Sequence, residues 1–369
     1  MRAVIVGGGT AGHVFPALAL AHRLADPHGV EVAFAGTQGG IEARLAPRAG
    51  LPFTGIEAKP FVRKLSPAAL RAPVTVLRSV DACRPLVEAA DVVVGMGGYV
   101  SGPVVLAALR ARRPVVLHEQ NAVPGLANRL FSRKARATAL SFAEAAKRLP
   151  RRARTVVTGN PVREQVLRVN EDREALRKEA LAELDLDAAR RTVLIFGGSQ
   201  GALHVDRAAA GACHLLAGRD DLQLVLLTGE SHFREIRRAL PSGTPLRIRP
   251  LPFLDRMELG YAAADLVVAR AGATSIAEIT ACGLPSLLIP YPYATGRHQE
   301  ANARAVQRAG GASLLLDDQL TDASLAERVV NLVDHRERLE AMTERSRAWG
   351  RPDATEALVA VVLEAGGAA

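Results

Sequence analysis

The sequence predicts an α/β protein made of two doubly wound parallel-sheet domains. Three observations carry this. Short unbroken runs of Val, Ile and Leu alternate with helix-length segments, and such runs mark strands covered on both faces. Glycine-rich turns stand between strand and helix, where α/β sheets bind ligands. The second half also echoes the first: VIVGGGTAG (4–12) returns as VLIFGGSQG (193–201), and AADVVVGMGGYVSG (89–102) as AADLVVARAGATSI (263–276).

Taken in order, Ala3–Val6 reads as the first strand, followed by a glycine loop and an Ala/Leu-rich helix to about Ala25. Val30–Ala35, Val92–Val94, Pro114–His118 and Thr155–Thr158 are further strands with helices between them. The charged stretch 162–191 supplies helices that begin the second domain. Val193–Phe196, Leu222–Leu227, Leu246–Pro250, Leu266–Ala269 and Ser286–Pro290 are its strands. Pro352–Leu363, rich in Ala, Val and Glu, ends the chain as a helix.

A length of 369 residues suits two domains. With 49% hydrophobic and 23% charged residues, the composition excludes a disordered chain. Aromatics at 4% argue against a stacking surface for single strands, so no nucleic-acid partner is expected. The net charge of +9 suits phosphates or anionic lipid, although only five of the 47 basic residues are Lys, a bias that genome composition also explains. Cys83, Cys213 and Cys282 are widely spaced and read as reduced core thiols. The uncharged stretches 3–22, 92–109 and 279–296 are broken by Gly or Pro, so none reads as a membrane span. The first also lacks a signal-peptide layout. A cytoplasmic protein follows as the expectation, with attachment to a membrane surface left open.

Gly7-Gly8-Gly9-Thr10-Ala11-Gly12 follows a strand and opens a helix, whose N-terminal amides suit a phosphate or sugar. The spacing fits G-x-G-x-x-G, but the second strand ends in Ala35-Gly36-Thr37 without the acid a dinucleotide ribose needs. That counts against an oxidoreductase. The same glycines also serve close strand–helix packing. His13 sits in the first helical turn, where imidazolium is disfavoured; it reads as a proton acceptor or as a capping and packing histidine. HEQN (118–121) puts four polar groups at the carboxyl end of a strand, for a ligand or for a hydrogen-bond network. Arg163 could grip a diphosphate or lie solvated on the surface. Thr274 and Ser275 offer hydroxyls near a helix start, and Glu278 offers a carboxylate for two ribose hydroxyls or is an ordinary helix acid. Gln299 could hydrogen-bond a sugar.

GGGTAGHVFP (7–16), GMGGYVSGP (95–103), HEQN, GNPVR (159–163), GGSQGA (197–202), RAGATSIAEI (270–279) and HQEANA (298–303) occur in this order along nearly the whole chain. The ordered set resembles the MurG family, glycosyltransferases that add N-acetylglucosamine to lipid I in peptidoglycan synthesis. The resemblance implies a GT-B fold, two Rossmann-like domains facing a cleft. Residues 1–160 plus 346–369 would form the N-terminal, acceptor- and membrane-facing domain, because the family's last helix crosses back. Residues 161–345 would bind the donor UDP-GlcNAc.

Carried over by motif, Ser199 and Arg163 serve the diphosphate, Glu278 the ribose, and the backbone of Leu254 the uracil. The turn Ala273, Thr274, Ser275, Ile276, Ala277 and Glu278 holds the nucleotide, and Gln299 the GlcNAc hydroxyls. Thr10, Ala11, Gly12 and Asn121 approach the transferred sugar; Gly97, Gly98 and Tyr99 lie on the acceptor side. His13 is the preferred catalytic base and Glu119 the secondary one. The sequence departs from the family at Ala11, where many relatives carry Gly, and at 294–297, which lacks an acid often found there. No Asp-x-Asp motif suited to a metal–diphosphate bridge occurs, so no obligatory metal is expected.

The implied partners are UDP-GlcNAc, lipid I, an anionic membrane surface and other cell-wall synthesis proteins, at the cytoplasmic face of the membrane. The segment Lys59–Arg84, with Phe61, Leu65, Leu70, Val74 and Leu77 among Arg63, Lys64, Arg71, Arg78 and Arg84, reads as the membrane patch or as an ordinary amphipathic helix. Competing readings are another GT-B sugar transferase, a UDP-GlcNAc epimerase, a Rossmann oxidoreductase and a non-catalytic membrane scaffold.

Overall fold

The computed structural model describes residues 1–57, 67–198 and 201–367, with the side chains of residues 11 and 67–77 outside the description. The chain divides into two compact units, 1–162 with 353–369, and 163–352.

The first unit runs β1 (Arg2–Val6), α1 (Ala11–Ala25), β2 (Glu31–Thr37), α2 (Glu42–Arg48), β3 (Phe53–Ile56), α3 (Pro67–Glu88), β4 (Val92–Gly95), α4 (Ser101–Arg110), β5 (Val115–Glu119), α5 (Leu126–Phe131), β6 (Ala137–Leu140) and β7 (Thr155–Val157). Its strands are all parallel, in the order β3-β2-β1-β4-β5-β6-β7. The order reverses at β1, which opens a crevice beyond the carboxyl ends of β1 and β4. Alternation explains the unbroken apolar runs. Ala3 and Ile5 face a core shared with Ala17, Leu20 and Leu24 of α1, while Val4 and Val6 face one shared with Val80 and Val87 of α3 and Val104 of α4. Each such Val, Leu or Ile side chain contributes about 1.5–3 kcal/mol by leaving water.

The second unit runs α6 (Glu164–Glu171), α7 (Arg173–Glu183), β8 (Arg191–Phe196), α8 (Leu203–Leu215), β9 (Leu222–Leu227), α9 (Phe233–Ala239), β10 (Arg247–Leu251), α10 (Met257–Ala263), β11 (Leu266–Ala269), α11 (Ala273–Ala281), β12 (Ser286–Leu288), α12 (His298–Ala309), β13 (Ala312–Leu314), α13 (Asp322–Val333) and α14 (Arg336–Trp349). The parallel order β10-β9-β8-β11-β12-β13 reverses at β8. The two internal echoes of the sequence are thus the strand at each reversal and the strand beside it.

The last helix, α15 (Ala354–Gly366), packs in the first unit: Leu358, Val359 and Val362 join the core of Ile5, Leu20 and Leu24, and Glu356 pairs with Arg23. Residues 346–352, expected with this helix, group with the second unit instead. The reason is local. Helix α14 continues to Trp349, and Gly350 lies so close to Thr280 that a Cβ there would come within 2.2 Å of the Thr280 carbonyl oxygen. The expected strands all occur. Three more, β3, β6 and β13, carry only FTGI, ATAL and ASL, too short and too poor in large apolar residues to stand out. The three cysteines are buried and free. Among the described residues, no helix is long and apolar enough to cross a membrane.

Candidate active site

In the first unit the two glycine turns meet because β1 and β4 are neighbours. Gly98, at φ +80°, approaches Gly8 so closely that a Cβ would fall 2.2 Å from the Gly8 carbonyl oxygen. Gly97, at φ +90°, leaves room for His13: a Cβ would lie 2.8 Å from its Cδ2 and 3.0 Å from its Nε2. Thr10 caps α1, and its Oγ1 lies 2.9 Å from His13 Nδ1. Tyr99 stands beside Gly9. The base candidate is therefore held between a helix cap and a glycine backbone.

The HEQN residues form a buried network. His118 Nε2 donates to the Gly159 carbonyl at 2.9 Å. Gln120 Nε2 donates to the Met96 carbonyl at 2.6 Å and to His118 Nδ1 at 3.1 Å. Burial pushes the His118 imidazole down to about 4, against the raising effect of its Gly159 bond, and charge on nearby His13 lowers it further. His118 is thus neutral at pH 7. Glu119 is buried, and its oxygens accept from Asn121 N at 2.9 Å, Gly125 N at 2.8 Å and Asn128 Nδ2 at 2.8 Å. Burial raises its pKa and these bonds oppose the rise. The carboxylate thereby holds the 120–125 loop that presents Asn121.

Two buried residues were not legible as site residues. Asn128 on α5 ties Glu119 to the His118 carbonyl. Glu42, fully buried at the start of α2, accepts from Thr37 N at 2.9 Å and Thr37 Oγ1 at 2.5 Å, and packs against Gly8, Gly36 and Gly40. Only the glycine pair at 39–40 and Gly36 hint that a side chain fills this space.

In the second unit the turn after β8 is built alike. Gly201, at φ +74°, would bring a Cβ within 2.0 Å of the Thr228 carbonyl oxygen. Asp206, fully buried, accepts from Ala202 N at 3.2 Å and from His232 Nδ1 at 3.0 Å. Burial raises its pKa to about 6 despite the His232 bond. Ser199 lies outside the described residues. After β11, Gly272 caps α11, with Ala273 and Ile276 buried and Thr274, Ser275 and Ala277 half-buried in its first turns. Glu278 and Arg163, read separately as ribose and diphosphate ligands, contact each other: Arg163 Nε donates to Glu278 Oε1 at 2.8 Å and Nη2 to Oε2 at 3.1 Å. The buried Tyr261 hydroxyl donates to Glu278 Oε2 at 2.9 Å. Gln299 Oε1 accepts from Tyr291 N at 2.9 Å, which ties α12 to the preceding loop. Leu254 is buried against Gly260.

Residues 3–140 match the glycosyltransferase family 28 N-terminal domain and residues 192–358 its C-terminal domain. A Halothermothrix orenii protein named UDP-N-acetylglucosamine–N-acetylmuramyl-(pentapeptide) pyrophosphoryl-undecaprenol N-acetylglucosamine transferase is 41% identical over 98% of both chains. The chain belongs to glycosyltransferase family 28 and, within it, to the MurG proteins. The crystal structure of Acinetobacter baumannii MurG superposes with a TM-score of 0.79 at 29% identity, covering 98% of this chain and 99% of that one. This family member is therefore a glycosyltransferase of GT-B fold. A UDP-GlcNAc 2-epimerase from Neisseria meningitidis, solved with UDP-GlcNAc, shares the fold at a TM-score of 0.68, with 99% and 100% coverage but 13% identity. Of the expected site residues, Thr10, Ala11, Gly12, His13, Gly97, Gly98, Tyr99, Glu119 and Asn121 belong to the first unit, and Arg163, Leu254, Ala273–Glu278 and Gln299 to the second.

Proposed function

We propose that this chain moves N-acetylglucosamine from UDP-GlcNAc to the C4 hydroxyl of the N-acetylmuramoyl unit of lipid I, giving lipid II and UDP. The Thr10–His13 contact beside Gly97 is the observation that carries the reading. With Thr10 Oγ1 accepting the Nδ1 proton, His13 Nε2 keeps its lone pair and takes the proton of the attacking hydroxyl. The C4 oxygen bonds to the anomeric carbon as the bond from that carbon to UDP breaks, so the α-linked donor yields a β-1,4 linkage. The leaving diphosphate gathers negative charge, which Arg163, Ser199 and the N-terminal amides of α11 stabilise. Glu278 receives the ribose, the Leu254 backbone the uracil, and Gln299 the sugar. Glu119 is assigned to holding the Asn121 loop rather than to proton transfer, because three donors already engage its two oxygens. No step calls for a metal, and EDTA-treated enzyme is expected to stay active.

The lipid substrate calls for a surface at the cytoplasmic face of the membrane. Helix α5 supports this: Leu126 and Leu130, one turn apart, are 60% and 62% exposed, and Leu130 lines a surface hollow with Arg112, Arg113, Arg133 and Lys134. Of the expected patch, residues 58–66 and the side chains of 67–77 lie outside the described residues. Binding to anionic vesicles should exceed binding to neutral ones and fall in Leu126→Gln/Leu130→Gln.

The deciding assay uses labelled UDP-GlcNAc and a lipid I analogue, with UDP-GalNAc as comparison donor. Lipid II formation that requires the analogue and prefers UDP-GlcNAc supports the reading. UDP release without the analogue, or interconversion of the free sugar nucleotide, would overturn it.

A further inference from the structure

We infer that Arg163 and Glu278 are an exchange pair that makes the second unit select a diphosphate-bearing nucleoside over the bare nucleoside. The inference rests on the nucleotide reading above and adds how the two halves of the ligand are coupled. Glu278 is 4% exposed, and its two oxygens accept from three donors: Arg163 Nε, Arg163 Nη2 and the Tyr261 hydroxyl. A carboxylate offers about four acceptor positions. Two ribose hydroxyls do not fit beside all three donors, so a donor must leave.

Tyr261 is the fixed one. Its ring is fully buried and packs edge-on to Phe196, with centroids 6.2 Å apart. Arg163 is the movable one. It caps α6 from an extended backbone, and its side chain keeps 25% of its surface in solvent. A guanidinium that leaves a buried carboxylate needs another anion, or the separation of charge is costly. A diphosphate supplies that anion while the ribose hydroxyls take the vacated oxygens. Bare uridine supplies hydroxyls but no anion, so it must break the pair without replacing it. Arg163 therefore strengthens UDP binding and weakens uridine binding, and the pocket tests both halves of the ligand together.

A permanent diphosphate ligand or a structural ion pair would not oppose uridine, so the sign of one measurement separates the cases. Titration calorimetry on the full chain compares UDP and uridine for wild type, Arg163→Gln and Arg163→Lys. Arg163→Gln is expected to weaken UDP about tenfold or more and to tighten uridine about threefold. Arg163→Lys keeps the charge but cannot bridge both oxygens, so it should move both affinities the same way by less. It also serves if Arg163→Gln does not fold. Uridine affinity that stays level or falls in the folded variants overturns the exchange alone. If wild type binds no UDP, the nucleotide reading falls and the exchange with it. If UDP binds but Glu278→Gln leaves uridine affinity unchanged, the ribose assignment is wrong.

Discussion

The two units share a sheet order and a glycine turn at its reversal, yet they place different chemistry around it. Each turn rests on a buried carboxylate with one oxygen bonded and one without a hydrogen-bond partner among the described residues: Glu42 Oε2 in the first unit, Asp206 Oδ1 in the second. Above that shared base the units diverge. The first surrounds its crevice with imidazoles, His13 at the turn and His118 held neutral beneath. The second offers a guanidinium, a carboxylate and a phenol joined in one cluster. The fold supplies the crevice and the near approach of backbone. On the proposed reading, proton transfer and anion binding come from the few side chains that differ.

The largest test of this division is His13→Ala. Loss of a general base should lower turnover about 10²–10⁴-fold. UDP affinity, which the proposed reading assigns to the second unit, should stay within about twofold. A fall in UDP affinity as large as the fall in turnover would erase the distinction between the units.

A matched pair tests the shared part. Gly98→Ala and Gly201→Ala each force a Cβ onto a backbone carbonyl at positive φ. Each should cost roughly 3–4 kcal/mol in urea unfolding, from strain and overpacking together. If one is tolerated and the other is not, the turns are less alike than their strand order suggests.

How much of this was legible follows from sequence distance. His13, Thr10 and Gly97 sit in local turn patterns, and their strand-to-helix setting could be read directly. The Arg163–Glu278–Tyr261 cluster could not. Arg163 and Glu278 lie 115 positions apart, and Tyr261 sits in an Ala/Gly-rich helix that reads as core. Glu42 and Asn128 look like ordinary helix residues until the fold brings Gly8 and Glu119 against them. The missed strands were short, and two of them, β3 and β13, lie at sheet edges, where less apolar area is needed.

Acid should act with opposite signs on one buried group of each unit, His118 in the first and Asp206 in the second. His118 is held near 4, below the usual 6.5, so between those values the unfolded chain binds the extra proton. Stability from this group is full above pH 6.5 and is lost as pH falls toward 4, by roughly 2–3 kcal/mol. Asp206 is raised from 3.8 to about 6, so the folded chain binds the extra proton there, and its contribution improves as pH falls from 6 to 3.8. His118→Asn should flatten the acid loss in a melting-temperature profile between pH 7 and 4.5, and Asp206→Asn should steepen it. Equal effects of the same sign would contradict the contrast.

The smallest expected effect probes how the first unit aims the proposed base. Thr10→Val keeps the volume near α1 but removes the oxygen 2.9 Å from His13 Nδ1. Without that acceptor the imidazole loses its preferred tautomer and orientation, and turnover should fall about five- to tenfold. The donor KM should not move, since Glu278 and Arg163 are untouched. Thr10→Ser restores the oxygen and should restore turnover. A structural cap alone would also be served by Ser, but its loss would lower the melting temperature rather than reshape the pH–rate profile. The variant should therefore shift the acidic limb, which a base that must be unprotonated sets, while leaving UDP binding as it was. If Thr10→Val instead lowers melting temperature and turnover together with an unchanged pH profile, Thr10 only caps the helix, and the base is aimed by its packing on Gly97.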